Sequence, residues 1–250
     1  MSRTLIALLT LSVIVLGGCS SEPVRDGVDT TKAAEANARL GLRYMQQGNY
    51  EVALQKFNKA LSFDNRYAPA HHYLAELYRR LDQYEKADEH YRDALYYSED
   101  DSSLSNNYGA FLCSRERYDD GEKQFLNVLK NPVYPRKDQV YENLGLCVER
   151  KPNAERAEEY LRSALRINPR LPKSLLAMAR LSFSKGNYLS TRAYLQRYLD
   201  VARHTAETLW LGIRAERLLG DNNAVSSYAL LLKANFPDAP ETKLYLESGD

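Results

Sequence analysis

The chain has little of what reactive centres are built from. Four histidines, His71, His72, His90 and His204, occur in 250 residues, and their surroundings read as helical and solvent-facing. His71 and His72 are adjacent and point in different directions on a helix, so they form a poor chelating pair and no metal is expected. Twelve glycines build no phosphate-cradling loop, and a G-x-S-x-G elbow is missing. Asp and Glu are interspersed with Lys and Arg, as on solvated faces. No enzyme is expected; a cleft holding strongly perturbed acids would be needed to revive a hydrolase. Thirty-four basic residues against 33 acidic ones leave a net charge of +1, which gives no field for nucleic acid. Neither a cofactor nor a small-molecule substrate is called for. The apolar run Leu5–Leu16 has 12 residues, too few to cross a bilayer comfortably as a helix. Composition is otherwise that of a folded protein, with 44% hydrophobic and 27% charged residues.

That apolar run follows Arg3 and ends in Leu16-Gly17-Gly18-Cys19, which reads as a targeting segment. The four residues resemble the bacterial lipobox, in which small residues admit the peptidase and the cysteine thiol is acylated. The resemblance implies removal of residues 1–18, a mature chain beginning at lipidated Cys19, and durable anchoring by several acyl chains. Ser20, next to the cysteine, is compatible with delivery to the outer membrane. Residues 19–33 are polar, include Pro23 and Gly27, and read as a tether. The fourteen residues after Cys19, at about 3.4 Å each, reach at most ~48 Å. The folded part is thus expected at the periplasmic face, clear of lipid.

Tyr50, Tyr84 and Tyr118 recur at intervals of 34, and their neighbours recur with them. A fixed period of this length marks a helix-turn-helix array. Six units follow, at 34–67, 68–101, 102–137, 138–171, 172–204 and 205–238, with 239–250 as a C-terminal cap. Gly41, Ala75, Gly109, Gly145, Ala179 and Gly212 fall at one position of the first helix and are all small. Ala53, Ala87, Gly121 and Ala157 are placed opposite them, because helix axes approach to roughly 8–10 Å only over small residues. Gly48-Asn49-Tyr50, Asp82-Gln83-Tyr84 and Gly186-Asn187-Tyr188 supply the turns. The pattern resembles the tetratricopeptide repeat, which implies an all-α, right-handed superhelix of helical hairpins. Asn131–Pro135 should interrupt the stacking of units three and four, and Thr191 and Tyr198 should widen unit five. The nineteen tyrosines are expected to fill gaps between helices, with hydroxyls reaching water. Cys113 and Cys147 sit near the ends of neighbouring first helices and are either a disulfide joining two units or two buried thiols.

In this repeat family the first helices line a concave surface, so the resemblance places Leu42, Met45, His72, Glu76, Arg79 and Asn106 in a partner-binding groove, with Ala38, Ala110, Cys113, Glu142, Leu146 and Glu149 along it. Such a mixture suits an extended or helical peptide segment. Asn106 and Ala110 stand where the carboxylate-clamping members of the family carry Lys and Arg, which disfavours an acidic C-terminal tail as ligand.

The stretches Ala34–Tyr44, Ala70–Ala75, Asn106–Cys113 and Glu142–Cys147, together with the lipobox, resemble the PilF/PilW family of type IV pilus biogenesis lipoproteins, the secretin pilotins. The resemblance implies an outer-membrane lipoprotein that binds secretin subunits and promotes their localisation and multimerisation. A different role that similar lipoproteins fill is general outer-membrane protein assembly or regulation of peptidoglycan synthases.

Overall fold

Each hairpin starts as a local event in its turn. Gly48, Asp82 and Gly186 take φ of 77°, 56° and 73°, the left-handed step that ends a helix and reverses the chain. The next residue often caps the following helix: the side-chain oxygens of Asn49 and Asn187 accept hydrogen bonds from the backbone N–H groups of Val52 and Ser190.

The computed structural model describes residues 29–98, 101–151 and 155–249, which excludes the signal segment, Cys19 and most of the tether. The described residues hold thirteen helices and no strand. They are α1 (Thr30–Gln46), α2 (Tyr50–Phe63), α3 (Ala68–Arg80), α4 (Tyr84–Tyr97), α5 (Ser102–Ser114), α6 (Tyr118–Lys130), α7 (Lys137–Val148), α8 (Glu155–Ile167), α9 (Pro172–Ser184), α10 (Tyr188–Leu199), α11 (Ala206–Leu219), α12 (Asn222–Asn235) and α13 (Pro240–Glu247). Consecutive helices from α1 to α12 pack as six antiparallel pairs, and α13 closes the end against α11 and α12. The result is an all-α superhelix of tetratricopeptide hairpins. Among the described residues no helix is long and apolar enough to cross a membrane. Residues 30–33, expected in the tether, already belong to α1, because Asp29 caps it by accepting from the Lys32 N–H.

Packing within a hairpin sets a small residue of the first helix over a large one of the second. A Cβ added to Gly41 would meet the Phe57 ring at 2.5 Å, and one on Gly109 would meet Phe125 at 3.0 Å. Gly145 lies against Leu161 and Gly212 against Tyr228 in the same way. The small position thus meets the bulky residue sixteen places on, and its backbone is approached from the same second helix by the equivalents of Ala53. Gly121, at the place of Ala53 in the third pair, lies against Cys113 and the backbone oxygen of Gly109. At the matching place in the fifth pair, Thr191 is fully buried and donates a hydrogen bond to the Ala179 carbonyl, so the hydroxyl fits within the pair.

Asn131–Pro135 does not interrupt stacking. One continuous core joins Phe125 and Val128 of α6 to Val140, Leu144 and Cys147 of α7 and Ala157 of α8, with Tyr134 of the loop packed on it. Asn131 donates to the Ser102 hydroxyl at 3.1 Å, which folds the loop back onto α5. Cys113 and Cys147 are joined by a disulfide with a Cα–Cα distance of 5.5 Å, linking α5 to α7.

Charged groups also bind the units together, and not all are solvated. Glu122 is 5% exposed and pairs with Lys151 and Arg156. Glu216 is buried against Arg192. Some tyrosine hydroxyls reach carboxylates: Tyr108 donates to Asp88, which also holds Arg117, and Tyr160 donates to Glu122. In the closing helix Tyr245 is buried while Leu244 and Leu246 are exposed.

Two outcomes follow from this packing. Exposed Gly→Ala changes in helices usually gain about 0.5–1 kcal/mol, but Gly121→Ala must displace the Gly109 backbone and is expected to lose about 1–3 kcal/mol in urea unfolding. The Cys113–Cys147 link spans 34 residues, and a loop of that size stabilises by about 3–4 kcal/mol in the chain-entropy treatment. Cys113→Ala should lower the urea midpoint accordingly, and intact mass should find alkylatable thiols from the wild type only after reduction.

Candidate functional site

Helices α3, α5 and α7 line a shallow strip of mixed polar and apolar groups on one side of the superhelix. Two adjoining cavities of about 290 and 180 Å³ lie along it and share Ala110 and Ser114. Glu76 and Arg79 of α3 face Asn107 and Phe111 of α5 in the first. Asn143, Leu146 and Arg150, the last just past α7, close the second. Gly109 and Cys113 turn inward, so the outward face of α5 centres on Asn107, Ala110 and Ser114, one turn apart along the helix.

The charges here are organised. Arg79 contacts the Glu76 carboxylate at 2.8 and 3.3 Å, and the Tyr91 hydroxyl donates to its other oxygen. Burial pushes the Glu76 carboxyl up, but the Tyr91 and Arg79 hydrogen bonds and the Arg79 charge outweigh it and hold it below its ordinary value. Burial and the Glu76 charge raise Tyr91, which remains a donor. Burial and the bond to Asp88 push Tyr108 up to about 12. The Asn107 amide donates to His72 Nε2 at 3.1 Å, and burial keeps His72 below its usual value. Further on, Glu142 accepts from the Ser174 N–H and hydroxyl, and Arg180 bridges Glu149 and Glu207.

Glu76 and Arg79 thus lie on the strip, while His72 adjoins it through Asn107 and lines a separate cavity with Tyr67, Pro69 and Leu104. Leu42 is half-buried beside the core of the first pair. Met45 is 6% exposed and packs with Phe57, Leu74 and Leu77, so it cannot present itself to a partner. Ala38 is buried in the same helix. Asn106 is 9% exposed and accepts from the Asn143 amide at 3.3 Å, which makes it a link between α5 and α7. The register missed Asn107, Ser114, Asn143 and Arg150 by one residue; the inward-facing Gly109 and Gly145 were the signal that fixes it. The histidines are not all solvent-facing. His71 is buried and meets His90, while His204 precedes α11 and contacts Thr208.

Family models described as tetratricopeptide repeat match residues 41–82, 68–101 and 112–172. The type IV pilus assembly protein PilF of Pseudomonas aeruginosa is 33% identical over 239 residues, 94% of this chain and 95% of the relative. The chain belongs to the PilF/PilW family. The solved structure of Pseudomonas aeruginosa PilF superposes with a TM-score of 0.79 at 33% identity, covering 88% of this chain and 99% of that one. PilW, described as a widely conserved type IV pilus biogenesis factor, superposes at 0.77 with 30% identity, covering 85% and 98%. The family is one of type IV pilus biogenesis proteins with tetratricopeptide repeats.

Glu76 gives the strip a pH signature. A carboxyl held below its ordinary value contributes stability above the unfolded-state pKa, and that contribution is lost as pH falls through the folded value. Glu76→Gln is expected to cost about 1–3 kcal/mol at pH 7, and the gap from wild type should close as the pH drops below 4.5. Urea unfolding of both chains at pH 7 and pH 3 measures it.

Proposed function

We propose that the protein is a lipid-anchored pilotin, which binds secretin subunits of the type IV pilus machinery and brings them to the outer membrane for multimerisation. The observation that carries this reading is the relationship to PilF over 94% of the chain and 95% of the relative. Family membership supplies the pilus system; the lipobox ending at Cys19 supplies an address, and the α3–α5–α7 strip supplies a docking face. Recognition, not reaction, is the task this surface suits. Open cavities lined by Arg79, Asn107, Asn143 and Arg150, beside Phe111 and Leu146, match an extended or helical segment whose polar groups meet amides and guanidinium groups.

Two variants separate anchor from cargo. Cys19→Ala should fold and capture secretin normally, while secretin multimers in outer-membrane fractions fall sharply. Arg79→Glu and Arg150→Glu, checked for native circular dichroism, should each weaken secretin capture about 10-fold, or about 1.4 kcal/mol. Unchanged capture in both, or normal multimers with Cys19→Ala, would overturn the corresponding half. Deletion should abolish pili; a general loss of outer-membrane proteins would favour a broader assembly role.

A further inference from the structure

In the second hairpin, on residues that take no part in the strip, three potential ligands converge. His71 Nδ1 of α3 lies 3.0 Å from His90 Nδ1 of α4 and 3.5 Å from Asp93 Oδ2 of α4. All three ligand atoms fall within 4.8 Å of one another. A tetrahedral zinc site with bonds of about 2.0–2.1 Å separates ligand atoms by roughly 3.3 Å, which the 3.0 and 3.5 Å separations from His71 already approximate.

Three further features fit. His71 Nε2 lies 3.1 Å from the Asn65 carbonyl, which accepts its proton and leaves Nδ1 with a lone pair directed at the cluster. Metal-bound imidazoles characteristically donate their second N–H in this way. His90 and Asp93 are three residues apart and so share one face of α4. The rings are held, His90 by stacking on Tyr78 at 5.5 Å and 5°, and His71 by Tyr97 at 5.5 Å. His71 is buried, whereas His90 and Asp93 are half-exposed, which leaves a side open for ion entry and a fourth, water ligand.

We propose that His71, His90 and Asp93 form a binding site for a divalent transition metal of the zinc class, clamping α3 to α4. Without metal, one nitrogen of the 3.0 Å pair carries the shared proton, His90 Nδ1–H donating to His71 Nδ1. On binding, His90 moves that proton to Nε2, both rings stay neutral, and the two Nδ1 lone pairs and the Asp93 carboxylate bind the ion. Imidazole and carboxylate together suit zinc or cobalt(II) better than calcium or magnesium.

The test uses the full chain in detergent, stripped with EDTA and titrated with zinc chloride, then with cobalt(II) chloride. One zinc per chain should bind with a dissociation constant in the micromolar range or below. The thermal midpoint should rise by about 5 °C or more, and cobalt should give the visible bands of a tetrahedral site. His90→Gln and Asp93→Asn, both half-exposed and checked by circular dichroism, should each weaken zinc binding about 10-fold or more. His204→Gln should leave it unchanged. Absence of stoichiometric uptake overturns the site, as does uptake that survives both cluster variants or falls equally in His204→Gln.

Discussion

Contact between a side chain too small to interfere and one large enough to fill the space is the constraint on which this structure rests. Gly41 under Phe57, Gly109 under Phe125, Gly145 under Leu161 and Gly212 under Tyr228 repeat it around the array. Ala75 with Tyr91 and Ala179 with Leu195 pack in the same clusters elsewhere. Dense interiors tolerate little added volume at such points. Each hairpin is thereby fixed in separation before it meets its neighbour, and the array can be assembled from units of one geometry.

Between hairpins the cement is different. Asp88 holds Arg117 and Tyr108 of the next pair, Glu122 holds Lys151 and Arg156, and Glu216 holds Arg192. Breaking one member of a buried pair leaves a charge without compensation, which costs more than the pair contributes net. Such contacts specify which unit sits beside which, while apolar burial supplies most of the cohesion.

The hairpins were legible in the chain because their determinants are local: a left-handed turn residue, an asparagine cap, an aromatic opener, a small residue one turn in. What lay between units was less so. The proline-rich segment reads as a breaker, yet Tyr134 packs on the core and Asn131 reaches Ser102, contacts that no local pattern encodes. On the strip the error was one of rotation. Met45 and Asn106 carry plausible chemistry for a binding face, but a single step along a helix turns a side chain by about 100°, enough to move it from solvent into a neighbour. His71 was hidden for the same reason, since its partner comes from the opposing helix, nineteen residues away.

The link between Cys113 and Cys147 joins the first helices of successive units near their C-terminal ends. An array of stacked hairpins ordinarily bends a little at every seam; here one seam is covalently closed. Flexing is then left to the remaining joints, the one between the second and third hairpins among them, where side chains and not bonds span the gap. The cavity walled by Glu76, Arg79 and Asn107 straddles that movable joint, whereas the cavity walled by Asn143 and Leu146 sits on the closed one. The same surface therefore offers a guest one mouth that can adapt its width and another that keeps a fixed gauge.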